Sequence, residues 1–252
     1  MGQIARSGAE IAPPVLRKLP RGRLEEMHDA AETVIECETV LRKSGMSVLS
    51  EVLRDQGTFT TWERYPKGDI FDPETHCQYF YHAHAADEML SSENGHFHLF
   101  VRPDALGLNL TPWDLPGARI PADAPDDTGA RFAHFGAISV NAKGTPLRIF
   151  TTNRWVTDET FYRASDMIRL LDHFAIELAH PNWAVNLWLS AMVSLYRPQF
   201  EALLEARDSR IQAWLDSHPD SAVLEDRGLQ NISELAIDTH AQIAAIEAEL
   251  DL

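Results

Sequence analysis

The chain has little cysteine, little positive charge and no long apolar run, and each shortage excludes a class of protein. Two cysteines among 252 residues, Cys37 in a helical pattern and Cys77 at the edge of a strand pattern, support neither a disulfide framework nor a cysteine-based zinc site. No stretch approaches the ~20 apolar residues of a membrane span, and the opening MGQIARSGAEIAPPVLRKLPRGR lacks the apolar core of a signal peptide. The expectation is a soluble, cytoplasmic protein with no membrane partner. Lys and Arg total 22 against 38 Asp and Glu, a formal charge of −16. Such a surface repels phosphate backbones, so nucleic acid is not an expected partner. Residues 201 to 252 hold 12 acids against 3 Arg, so more than half of the acidic excess sits there and says little about the rest. Internal repeats and low-complexity tracts are also missing. A chain of this length can bury a substantial core without covalent staples.

What is present falls into three stretches. Residues 1–21, with Pro13, Pro14 and Pro20 and no periodicity, read as a flexible arm before one α+β domain over 22–252. The spacing Leu24, Met27, Ala31, Ile35, Leu41 predicts a helix that Gly45 can stop, with a short second helix to about Arg54. Residues 59–70 read as either strand or loop. The period then changes to two: CQYFYHAH (77–84), HFHLFVR (96–102), FAHFGAISV (132–140) and PLRIFTT (146–152) alternate and are rich in aromatic and β-branched residues. The turn signal NAKG joins the last two strands. Four or more antiparallel strands packed against several helices are therefore expected. Between the two hairpins, residues 103–130 carry five prolines and three glycines, a connection long enough to act as a lid. Beyond Thr157, read as an N-cap, the pattern is helical throughout: 159–180, a segment around Trp183–Leu195, one opened by Pro198, and a C-terminal helix over 230–252. Ile232, Leu235, Ile243, Ile246 and Leu250 give that last helix near-heptad spacing, suited to its own domain or to a second copy in a homodimer.

Chemistry concentrates in YHAHAADEMLSSENGHFHLF (81–100), which holds four of the eleven histidines as two His-x-His pairs. Side chains two apart on a strand share a face. If the strands pair with His84 opposite His96, then His82 falls opposite His98 and all four imidazoles point one way. Opposed Cβ atoms ~5 Å apart then let the rings converge on one ion at ~2.0 to 2.2 Å. Imidazole suits Fe, Zn, Cu and Ni, so the expected cofactor is one transition-metal ion of open identity. Asp87 and Glu88 in the intervening loop are candidates for a further ligand or an acid/base. Arg154 and Trp155, past the last strand, form a cation and aromatic pair able to hold an anionic small-molecule substrate, with structural ion pairing as the other role for the Arg. His134 shares strand parity with Phe132, Ile138 and Val140, which assigns it to the core or to a supporting position. Asp166, His173, Glu177 and His180 fall on one stripe of the expected 159–180 helix, either as a solvated flank or as additions to the ligand set.

The segments FYHAHAADE, GHFHLF, ISVNAKGTPLRIFTTNRWVTDE and NLWLSAMVSLYRPQFEALLEARD together resemble a bacterial family catalogued as a domain of unknown function, over about residues 60–215. That resemblance brings no activity with it. From the residues themselves the expectation is a metal-binding protein, as a mononuclear enzyme with oxidoreductase chemistry ahead of hydrolysis. The rivals are a non-catalytic metal binder or sensor and a metal-free anion-binding module.

Overall fold

The computed structural model describes residues 8–85, 92–116, 118 and 131–252. A seven-stranded sheet organises them, with spatial order β1-β7-β6-β5-β4-β3-β2. The strands are β1 (Ala9–Glu10), β2 (Tyr65–Phe71), β3 (Cys77–His82), β4 (Gly95–Val101), β5 (Ala133–Val140), β6 (Pro146–Thr152) and β7 (Asn231–Ala236). β2 to β6 form an antiparallel meander, β7 returns to pair antiparallel with β6, and only the β1–β7 pair is parallel. The four strands expected from alternation are present. The turn between β5 and β6 closes on the Asn141 side chain, whose oxygen accepts from the backbone N–H groups of Lys143 and Thr145.

The helices are α1 (Arg21–Lys43), α2 (Val48–Val52), α3 (Arg154–Thr157), α4 (Ala164–Leu170), α5 (Trp183–Leu195), α6 (Arg197–Ser217) and α7 (Thr239–Leu250). α1 buries Leu24, Met27, Ala31, Val34 and Leu41 at helical spacing and stops before Gly45, as the sequence predicts. α5 is capped by the Asn182 side chain and α6 carries Pro198 in its first turn, where a missing N–H costs nothing. These helices cover one face of the sheet. Tyr79, Tyr81, Phe97, Leu99, Ile138, Val140 and Ile149 meet them in one core, with the Phe97 ring 6.0 Å from Trp188 and the Tyr79 hydroxyl donating to Asn186 at 2.7 Å. Each such large side chain, fully buried, contributes roughly 1.5–3 kcal/mol. A smaller core joins Trp113, Leu115, Phe161, Ile211, Leu224 and Ile232.

Four expectations are corrected. Residues 231–236 are strand β7, not the start of the C-terminal helix; that helix begins at Thr239, where Asp238 accepts from the Ala241 N–H. The expected 159–180 helix is shorter: α4 ends at Leu170, a 3-10 turn follows at Leu171–His173, and 174–179 leave helical geometry. Backbone groups there are taken by side chains from elsewhere, Thr75 donating to Ala175 O, Ser190 accepting from Ile176 N and Asp72 from Glu177 N. Thr157 ends α3 rather than capping a helix. The arm is docked over part of its length, since β1 pairs with β7 and Ile11, Leu16 and Leu19 pack on the core. Of the 103–130 connection, the first half is anchored by buried Trp113 and Leu115, while 117 and 119–130 lie outside the described residues.

Candidate metal centre

The sheet face opposite the helices carries the histidines. β3 and β4 pair with His82 opposite His96 and Phe80 opposite His98. The parity expected from the sequence holds, but the register is slid by two residues, which moves His84 beyond the end of β3. Gly95 makes this approach feasible, because a Cβ there would sit 2.4 Å from the His82 carbonyl oxygen. All four rings still meet. His82 Nε2 lies 2.8 Å from His96 Nε2 and 3.1 Å from His84 Nε2, and the His98 ring centroid is 4.9 Å from that of His82 and 4.8 Å from that of His96. Ligand atoms of His82, His96 and His98 all fall within 4.8 Å of one another, so this group could hold a metal ion.

Proton counting makes the arrangement more specific. An imidazole nitrogen carries either a proton or one in-plane lone pair, so it enters one full hydrogen bond. His96 Nδ1 meets the Glu93 carboxylate at 3.0 Å and must donate there, which leaves His96 Nε2 bare. His82 Nε2 can then donate to His96 and cannot also serve His84. One of the two close nitrogen contacts is therefore unsatisfied among neutral rings. His98 adds a second deficit: its Nδ1 is 2.9 Å from His134 Nε2, while its Nε2 is fully buried without a hydrogen-bond partner among the described residues. An orphan of that kind costs about 1–3 kcal/mol. The buried Ser139 hydroxyl, on the residue paired with His96, is another atom without a hydrogen-bond partner among the described residues.

Electrostatics keep the rings neutral, the state that binds metal. Burial lowers His82 to about 2, helped by His96 and His84. His96 and His98 are likewise held well below the ordinary histidine value, first by burial and then by neighbouring rings. His134 falls to about 3 for the same primary reason.

Two buried carboxylates back the rings, and neither is evident in the sequence. Glu93 joins His96 to Arg148, whose guanidinium is 2.9 Å from Glu93 Oε2 and also pairs with Glu234. Glu159 accepts from the His134 backbone N–H, and its Oε1 stands 4.0 Å from His134 Nδ1. Burial pushes the Glu159 carboxyl up to about 8, with Arg207 opposing. Parity placed His134 with Ile138 and Val140. A bulge opposite Leu99 and Phe100 reverses that, pairing His134 with Phe100 and turning its ring toward His98. The signal available was Gly136 within the strand, where a Cβ would lie 2.8 Å from the Phe200 ring.

The other candidates are placed elsewhere or not at all. Asp87 and Glu88 lie outside the described residues. Arg154 is buried and ion-paired with Glu225 and Asp158; Trp155 donates its indole N–H to Asp226 O at 2.9 Å, under the Arg227 guanidinium. His173, Glu177 and His180 are exposed, and the helix that would have aligned them is absent. Cys37 and Cys77 are buried free thiols. No helix among the described residues is long and apolar enough to cross a membrane.

A family model described as Domain of unknown function (DUF6969) matches residues 28–237. No curated protein and no solved structure matches.

Proposed function

The chain belongs to the DUF6969 family, and on that premise we propose that its sheet builds a mononuclear transition-metal centre on His82, His96 and His98, with His84 as a fourth ligand. The observation that carries this reading is the shortage of protons among converging ring nitrogens. A cation replaces the strained contacts with one bond per lone pair and gives the orphaned His98 Nε2 a partner. The His82 pairs need little movement, while His98 must draw closer, since the ligand atoms of the three buried rings spread over as much as 4.8 Å. Two nitrogens bound cis on an octahedral ion at about 2.1 Å lie about 3.0 Å apart, and in a tetrahedral site about 3.4 Å, against the 2.8 and 3.1 Å found here. Glu93 and His134 act as orienting partners. Each engages the Nδ1 side of a ligand ring; the Glu93 carboxylate, which only accepts, fixes the His96 tautomer that leaves Nε2 free for metal, and His134 orients the His98 ring.

With three imidazoles and open positions, the centre binds a small molecule, oxygen or water. An imidazole-rich set suits Fe, Cu or Ni as well as Zn, which places oxidoreductase chemistry ahead of hydrolysis. Asp87 or Glu88, in the segment that follows His84, supplies the acid/base. Arg154 and Trp155 serve the fold in this reading. The second reading, a non-catalytic metal binder or sensor, is favoured by the closeness of His84, since four histidines can saturate a tetrahedral ion.

Elemental analysis of untagged protein, before and after equilibration with Fe, Zn, Cu and Ni, tests the proposal. About one ion per chain is expected, lost in His96→Ala and His98→Ala. Absence of tight binding by the wild type, or unchanged content in both variants, overturns it. Azide binding to the cobalt-substituted protein separates the readings: an open site shifts its visible spectrum and a saturated one does not.

A further inference from the structure

The segment leading into the edge strand β2 brings two exposed side chains to the histidine face. Trp62 is 55% exposed, yet its indole stacks on the His84 ring, 4.3 Å between centroids at 20°, and stands edge-on to His82 at 6.5 Å. Its backbone is left-handed, with φ +71, a costly conformation for a bulky residue, and is pinned by its N–H donating to Ala83 O at 2.8 Å. Arg64 lies over the Phe80 ring at 4.3 Å, and that ring is 5.6 Å from His82 and 5.0 Å from His98. The Arg64 side chain is half exposed and paired to Asp69 at a loose 3.4 Å, which leaves donors for another acceptor. Along this edge Trp62 covers His84 and Arg64 covers Phe80, with His82 between them, so an open indole face and a guanidinium stand two residues apart in the chain beside the histidines.

Each end selects a chemical property. An exposed indole rewards a flat conjugated surface, and a guanidinium rewards a carboxylate through parallel N–H donors. One half-exposed guanidinium at this edge, in a chain of formal charge −16, suits a monoanion better than a polyphosphate. We infer that the ligand of this site is a planar aromatic carboxylate, stacked on the open face of the Trp62 indole with its carboxylate turned to the Arg64 guanidinium, at the edge of the histidine cluster. The assignment rests on the proposed metal centre for its chemistry but on Trp62 and Arg64 for its selectivity.

The test is calorimetric titration of the full chain, metal-loaded and metal-free, with benzoate, cyclohexanecarboxylate and benzamide. Benzoate should bind roughly three- to tenfold more tightly than either of the others, one lacking the aromatic plane and the other the charge. Trp62→Ala should abolish the preference over cyclohexanecarboxylate and Trp62→Phe should keep it. Arg64→Gln should abolish the preference over benzamide, and none of the three variants should change metal content. Equal binding of all three probes, or full discrimination in both Trp62→Ala and Arg64→Gln, overturns the inference. A chain that takes up no metal yet still discriminates through Trp62 and Arg64 refutes the metal centre and leaves the ligand class standing.

Discussion

At the scale of single residues, the histidines were legible because strand parity needs no tertiary knowledge: His82 with His84, and His96 with His98, must share a side wherever their strands run straight. Their supporting carboxylates were not. Glu93 matters because Arg148, on a strand two places away, holds its other oxygen, and Glu159 matters because its chain returns past the His134 backbone. Nothing local in SENG or TDET signals either contact. The neutral rings carry a consequence for acid stability. His82 and His134 titrate far lower folded than the ~6.5 of an unfolded chain, and His96 and His98 shift the same way. The unfolded chain therefore takes up protons first as pH falls. The stability they contribute is complete above about pH 6.5 and is lost below it, toward the folded values, at up to about 1.4 kcal/mol per pH unit for each ring. Urea unfolding of chelator-treated protein should show midpoints falling steeply from pH 6.5 to 5, with a shallower slope in His98→Leu. A midpoint flat across that range would contradict the buried neutral rings.

At the scale of elements, alternation identified β3 to β6 because each has one face on the helical core and the other on a separate set of histidines, phenylalanine rings and polar groups. β7 escaped because Ile232 and Leu235, three apart, continue the apolar spacing of α7, and a six-residue strand offers too few positions to decide the period. The 159–180 reading failed differently. Its apolar residues are spaced for a helix, but Asp72, Thr75 and Ser190 supply hydrogen bonds that compete with the helical ones. The bulge in β5 is the element on which the site most depends, since it alone brings His134 to the side of His98. Gly136→Val would drive a branched side chain into Phe200. The expected cost is about 1–3 kcal/mol of stability, with metal affinity falling as His134 withdraws from His98. Thermal denaturation and equilibrium dialysis measure the two effects. Unchanged metal affinity in a destabilised Gly136→Val protein would separate the bulge from the site.

At the scale of the whole molecule, one sheet separates two tasks, with helices against one surface and imidazoles, buried acids and an exposed indole along the other. The α+β class and the antiparallel hairpins were readable from periodicity. The seven-strand order was not, because β7 joins the meander through β6 across a long helical stretch, and β1 pairs with β7 from more than two hundred residues away in sequence. Tolerance to substitution should inherit this division as a rhythm. In a saturation scan read separately for abundance and for metal retention, Tyr79, Tyr81, Phe97 and Leu99 should score as abundance positions and His82, His96 and His98 as retention positions, alternating residue by residue. Along β5 the beat should skip once, between His134 and Ala137, so that an even-numbered and an odd-numbered position fall in the same class. A scan of this kind would recover the bulge as a phase error in a table of phenotypes, without any coordinates.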